Sequence, residues 1–465
     1  MVHFGLLSFS DGRDRVHEML IPDILEHEQA IIRLLESTEK IKLYVGQEIV
    51  HSAESARREM RRLASFNLDG VIFNIPVFAF PNYVVIAAQF SQVPILLLGP
   101  HDPRYPGLTG LLAVGGSLTQ LGIKHERLWL DLTDPSATEK ILLFGTTAAA
   151  VSRLRGQVYG LVGGRSIGMY TGASPAELWT KDFGIDIDHV DQSEIIRLAK
   201  LISDDEVDTA RSWLEENVKE IVYDPPHFTL EKLNFEIRCY IALKEIVSSY
   251  QFDFIGLKCH FDMSEYFSVQ CLSAALMNDP YDWKGVKIPI PLACEADSDG
   301  ALTMKILQMI SGQPASLLDL RFFDPGKSVY VMPNCGSAPT WFAARSDEPA
   351  ENLSRVRIVS AIKKYAGGGA HLEFVFGEGE VTMARLSRSS NGYKMLITNG
   401  ETIKYPINKV MGAAANWPHA FVKIGLNPEK VIQKLEANHL HLVAGDYREE
   451  LIRFCNMMDI EQVML

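Results

Sequence analysis

Five short apolar runs in the first 150 residues, each followed by a helix-length segment, limit what this chain can fold into more than any other feature. The runs are HFGLLSF, IKLYVG, GVIFNI, PILLLG and RLWLDL, and the second leads into SAESARREMRRLASF. Such alternation predicts a parallel sheet flanked by helices. A second alternating unit starts at VYGLVGG (158–164). It runs through charged helical segments around 191–220 and 228–250 to DFIGLKC and KIPIPLAC. After about residue 312 the texture changes. SVYVMP, HLEFVFGEGEVTMARLSR and GYKMLITNGETI alternate with the two-residue period of strands. VFGEGEV and TNGE read as hairpin turns, and NPEKVIQKLEANHL and DYREELIRFCNMM as a helical tail. The expected fold is α/β: two doubly wound, Rossmann-like parallel-sheet domains (1–155 and 156–312) and a mostly β, barrel-like C-terminal domain (313–465).

Charge and apolar patterning exclude some classes of function. A net charge of −13 argues against nucleic-acid binding, which needs clustered Lys and Arg. No stretch reaches the ~18 uninterrupted apolar residues of a membrane span. The nearest, VVIAAQFSQVPILLLG, is broken by Gln89, Gln92 and Pro94. The N-terminus turns polar too soon for a signal peptide. The six cysteines are scattered without a CxxC pair, which predicts reduced thiols in a cytoplasmic protein.

The junction PLACEADSDGALTMK (291–305) carries Glu295, Asp297 and Asp299 two residues apart. Asp299 or Ser298 can cap a helix that starts near Gly300 and stops at Gly312. Capping explains Asp297 and Asp299. It does not explain Glu295, which follows an apolar run at the carboxyl end of an expected strand, where α/β sheets bind ligands. EADSDG imitates the start of an EF-hand loop, but the twelfth position is Ile306 instead of a bidentate Glu. Asp319, in SLLDLRFFD, lies 24 residues after Glu295, an interval that fits strand, helix, strand. Neighbouring parallel strands would then present the two carboxylates side by side. A buried carboxylate needs a partner, either a bound cation or a salt bridge to Arg321 or Lys305, and the spacing leaves both open.

His419 sits in the apolar turn GAAANWPHAFVKIG, as a structural imidazole or a ligand, with His439 and His441 (NHLHL) as competing ligands. GLVGGRSIGMYTG (160–172) is neither GxGxxG nor a P-loop, so no nicotinamide cofactor is expected; the loop can aim Arg165 and Ser166 at a polar ligand. No GxSxG is present.

Taken together, these segments resemble the L-fucose isomerase-like family, which includes relatives acting on arabinose. The densest match is YDWKGVKIPIPLACEADSDGALTMKILQMISGQPASLLDLRFF (281–323). The resemblance implies an aldose–ketose isomerase in which Glu295, Asp319 and His419 ligate Mn²⁺ and the two carboxylates form the acid/base pair. It further implies sugar contacts from Arg13 in SDGRDRV, across a subunit boundary, from Arg165 and Ser166 in GGRSIGM, from Lys258 and His260 in LKCHF, and from Asn416 and Trp417. Phe73 maps to the aromatic wall of the pocket. The implied partners are a sugar substrate and further copies of the chain, as a trimer or hexamer with the site near a subunit interface. Two other readings remain: an isomerase of an anionic hexose, sulfonated or phosphorylated, and a non-catalytic sugar-binding protein on the same scaffold.

Overall fold

The structure, a computed structural model, describes residues 1–406 and 416–465. It divides into two compact units: residues 1–155 with 449–459, and residues 156–448 with 460–465. Among the described residues, no helix is long and apolar enough to cross a membrane.

The first unit is built on β1 (Val2–Ser8), β2 (Ile41–Val45), β3 (Gly70–Asn74), β4 (Ile95–Pro100) and β5 (Glu126–Leu130). All pairings are parallel, in the order β2-β1-β3-β4-β5 of a doubly wound sheet. Alternate residues serve two faces. Leu7, Val71, Phe73 and Leu97 fill one core; Phe4, Leu6, Ile72 and Leu96 fill the other. The helix Arg448–Met458, from the far end of the chain, contributes its residues from Glu449 onward to this unit.

The second unit holds β6 (Val158–Val162), β7 (Asp186–Val190), β8 (Glu220–Val222), β9 (Phe254–Leu257), the short β10 (Tyr281–Asp282) and β11 (Gly285–Val286), and β12 (Leu292–Cys294). Strands β12-β9-β6-β7 form a parallel sheet, again with the order reversing beside its first strand. There follow β13 (Ser316–Asp319), β14 (Phe322–Asp324), β15 (Val329–Pro333), β16 (Arg357–Ser360), β17 (Ala370–Glu373), β18 (Gly379–Ser389), β19 (Gly392–Thr402), β20 (His419–Lys423), β21 (His439–Ala444) and β22 (Glu461–Met464). The mostly antiparallel sheet runs β13-β21-β18-β19-β20-β15-β14, with β22 parallel to β19. Its end strands β13 and β14 share no ladder, so among the described residues the sheet is open where a barrel-like closure was expected. Strands β17-β16-β8 make a small separate sheet.

One apolar core, from Val162 through Leu272 and Leu318 to Leu442, runs through the parallel, the antiparallel and the small β17-β16-β8 sheets of this unit. The helix Ser298–Ser311 packs on β9 of the parallel sheet and on β18 and β21 of the antiparallel one. Three local expectations change. TNGE lies inside β19, where Gly400 permits close approach: a Cβ there would meet the Lys423 carbonyl at 2.7 Å. VFGEGEV connects β17 to β18, which pair with different strands. Asp319 is on β13, which pairs antiparallel with β21 instead of lying beside β12.

Candidate active site

The carboxyl ends of β6, β9 and β12 lie at one edge of the parallel sheet, the edge at which such sheets bind ligands. The chain leaves β12 through a turn in which Glu295 (φ 59°) and Ala296 (φ 53°) both take the left-handed conformation. For non-glycine residues that costs roughly 1–2 kcal/mol each and marks a constraint set by surrounding structure. The Ala296 N–H donates to the Leu257 carbonyl at 2.9 Å, tying the turn to the end of β9. Asp297 then caps the helix, accepting the Gly300 N–H at 3.0 Å. The cap is therefore Asp297, one or two residues before the expected Ser298 or Asp299.

Asp297 does more than cap. Its carboxylate accepts Arg385 Nη1 at 2.6 Å and Nη2 at 3.1 Å, and faces His439 Nδ1 at 2.7 Å. Asp297 and Arg385 are fully buried. Burial alone would raise the pKa of Asp297, but Arg385 and then His439 hold it well below the usual carboxylate range. So fixed, His439 turns Nε2 toward both other carboxylates: 3.6 Å from Glu295 Oε2 and 3.7 Å from Asp319 Oδ1. Asp319 stands directly opposite His439 in the β13–β21 ladder. His260 Nε2 lies 3.6 Å from Glu295 Oε1 and its ring stacks on Tyr365, 5.0 Å between centroids. Asp299 is set apart, bound to Arg388 Nε at 2.9 Å and Ser174 Oγ at 3.2 Å.

These side chains offer several features that suit a divalent cation. Separations of 3.6–3.7 Å are too long for hydrogen bonds. They are somewhat wider than the ~3.0–3.4 Å between neighbouring ligands of an ion bonded at ~2.1 Å. Burial, with the nearby Asp319 charge, pushes the Glu295 carboxyl up to about 7 against the pull of His439 and His260. Among the described residues, the groups that would balance an anion at that position are two imidazoles, His260 and His439, with no Lys or Arg paired to it. His419 is fully buried, its Nδ1 lies 2.7 Å from the Trp417 carbonyl, and its Nε2 has no hydrogen-bond partner among the described residues. With the proton on Nδ1, Nε2 offers a bare lone pair, and burial pushes the imidazole down to about 4, keeping it neutral. Among the described residues, however, no three His, Cys, Asp or Glu side chains already converge tightly enough to hold an ion. No hydrogen bond or ion pair joins His419 to Glu295 or Asp319 among them.

The other sequence-derived residues divide. Ser166 is buried and donates to the His260 carbonyl at 3.0 Å, so it braces the loop. Arg165 is exposed and lies over the Tyr170 ring. Lys258 pairs with Asp262 and lines a separate cavity of about 600 Å³ with Gln192 and Phe267. Trp417 is buried, donates Nε1–H to His371 at 2.9 Å and carries Arg321 over its ring at 5.3 Å. Asn416 is exposed, and the small residues before it (412–415) lie outside the described residues. In the first unit, Arg13 follows β1 and forms two 2.8 Å hydrogen bonds to Asp11. Phe73 is wholly enclosed in that unit's core on β3, a correction to its expected place in a pocket wall, because both sheet faces there are covered. Arg385 escaped sequence reading, although a lone Arg on the apolar phase of VTMARLSR was its signal.

Comparison with known proteins agrees with this layout. The family model for the first N-terminal domain of L-fucose isomerase matches residues 1–156, and that for its C-terminal domain matches residues 332–465. The chain belongs to the L-fucose isomerase family. Relatives span nearly its whole length. The sulfoquinovose isomerase of Priestia aryabhattai is 21% identical over 431 aligned positions, covering 89% of this chain and 90% of that one. The L-fucose isomerase of Haemophilus influenzae is 22% identical over 547 positions, covering all of this chain and 92% of that one. That of Salmonella typhi is 23% identical, covering 99% and 92%. The protein is thus an enzyme of the sugar-isomerase class, an intramolecular oxidoreductase with a small sugar as substrate.

Proposed function

We propose that this isomerase interconverts an aldose and its ketose with the help of Mn²⁺, held by Glu295, Asp319 and His419. The observation that carries the reading is the meeting of Glu295 and Asp319: from two different sheets, they face one imidazole, His439. Moving a proton between C1 and C2 requires a carboxylate beside those carbons and stabilisation of the negative charge that develops on the neighbouring oxygens. When bound, a divalent cation would supply that stabilisation as a Lewis acid and favour the anionic form of both carboxylates. Glu295 and Asp319 take the proton from one carbon and return it to the other. Asp297 and Arg385 hold His439, which keeps the two carboxylates in register. Trp417 and Tyr365 supply apolar surface that limits water near the reacting carbons. Arg13 reaches the sugar of a neighbouring subunit in a trimer or hexamer, and the enzyme works in the cytoplasm.

A specific observation favours an anionic hexose as substrate. Arg321 lies over Trp417 and Lys364 over Tyr365, 4.8 Å from the ring centroid, and neither forms an ion pair with a carboxylate among the described residues. His371 joins those two aromatic side chains. Sulfoquinovose isomerases stand among the relatives. A sulfonate or phosphate would give both cations a partner.

Substitution tests the assignment. Glu295→Gln and Asp319→Asn are each expected to lower kcat by ~10²–10⁴-fold, and Mn²⁺ titration followed by electron paramagnetic resonance should show weakened binding in both and in His419→Ala. Full turnover in Glu295→Gln would overturn its role. Sugar binding indifferent to a chelator, with no ketose formed, would favour the sugar-binding protein instead.

A further inference from the structure

Three cysteines stand in a row beside the site, and the proposed chemistry uses none of them. Cys259 follows β9, Cys294 ends β12 and Cys335 follows β15. The Cys294 sulfur lies 3.3 Å from that of Cys259 and 3.2 Å from that of Cys335. All six cysteines are free thiols. The three in the row are buried but not sealed, 5–8% exposed, whereas Cys239 and Cys455 are fully enclosed. Trp417 completes their cluster. Two of the three are joined through the chain to site residues, since Cys294 precedes Glu295 and Cys259 precedes His260.

We propose that this row is an oxidation site, at which hydrogen peroxide converts Cys294 and one neighbouring thiol into a disulfide that disables the adjacent Glu295 centre. One sulfur attacks the O–O bond of the peroxide; it becomes a sulfenic acid and the first water leaves. The second sulfur attacks the sulfenic sulfur, the S–S bond forms, the S–O bond breaks and a second water leaves. Two thiols thus give two electrons to one peroxide. A sulfur pair at 3.2–3.3 Å needs to close by only ~1.2 Å to reach the ~2.04 Å of a disulfide. Central Cys294 can pair either way, so it is the residue common to both products. Drawing its sulfur aside strains a turn whose next two residues already hold left-handed backbone. An external dithiol reverses the change by exchange. The loss of turnover rests on the proposed function; formation of the bond does not.

The test uses the full chain. The protein is treated with hydrogen peroxide, quenched with an alkylating reagent under denaturing conditions, digested without reduction and mapped by mass spectrometry. The expected result is loss of two alkylatable thiols, a cross-linked peptide joining Cys294 to Cys259 or Cys335, and unchanged Cys239 and Cys455. Dithiothreitol should restore both thiols, and turnover where it was present before. Cys294→Ala should remove the cross-link, whereas Cys259→Ala should leave the Cys294–Cys335 product. A full set of free thiols after treatment, or oxidised single cysteines with no cross-link in the unaltered protein, would overturn the proposal. A cross-link with undiminished turnover would overturn its effect on the site. A cross-link in a protein that isomerises no sugar would leave the thiol site standing and refute the catalytic reading alone.

Discussion

At the scale of single residues, Asp297 has the most to lose. It is fully enclosed with Arg385, so removing its charge leaves a buried guanidinium and a misdirected imidazole. Asp297→Asn is expected to cost about 3–5 kcal/mol, read as a lowered urea midpoint at unchanged slope; a shift under ~0.5 kcal/mol would contradict the network. Glu236 contributes to the pH dependence of stability. It is fully buried, Ser268 Oγ and the Ala370 N–H donate to one of its oxygens, and the other has no hydrogen-bond partner among the described residues. Burial pushes it up to about 8 from an ordinary value of 4.5. Its neutral form belongs to the fold while the unfolded chain ionises, so stability falls as pH rises from about 4.5 to about 8. The slope is up to about 1.4 kcal/mol per pH unit. Glu236→Gln should reduce the loss of stability between pH 6 and pH 8.5, measured by urea unfolding at each pH; the same loss in the variant and the unaltered protein would contradict it. The split between Glu295 and its two aspartate neighbours was legible in sequence, because only Glu295 directly follows the apolar strand. The position of His439 was not. It depends on β21 pairing with β13, a contact between distant segments that no local pattern encodes.

At the scale of elements, the turn from β12 into the helix Ser298–Ser311 places the site. Gly256 on β9 makes room for it: a Cβ there would overlap the Tyr159 hydroxyl and press on Ala296, 3.2 Å away. Gly256→Ala is therefore expected to destabilise by about 1–3 kcal/mol and to weaken Mn²⁺ binding together with stability. Unchanged metal affinity and melting would show that the turn tolerates displacement. The parallel strands were readable because each is a compact apolar run before a helix. The antiparallel part was read less well. Asn399–Gly400 carries a turn-like sequence, yet the glycine is needed where β19 passes the Lys423 carbonyl. The placement of Asp319 at the end of SLLD is equally compatible with a parallel or an antiparallel neighbour, so the two carboxylates met through a different sheet from the one expected.

At the scale of the whole molecule, the first unit is assembled from both ends of the chain. Lys124 donates to the Asn456 and Met457 carbonyls at 3.2 and 3.0 Å, and Met457 packs against that unit's core. A fragment of residues 1–155 should consequently melt below the same unit in the full chain, followed by hydrogen exchange in β4 and β5; equal protection would show the last helix to be dispensable. The alternation that announces the first unit ends at residue 155, so sequence gave no sign of this return. The enzyme class reaches across both units, and the reaction itself is the most direct test of it. The Mn²⁺-loaded protein is incubated in D₂O with neutral and anionic aldoses and followed by nuclear magnetic resonance. The expected result is ketose formation with solvent deuterium entering at C1 or C2, abolished in Glu295→Gln. No ketose and no deuterium with any aldose of either kind would contradict metal-dependent isomerisation at the Glu295–Asp319 centre.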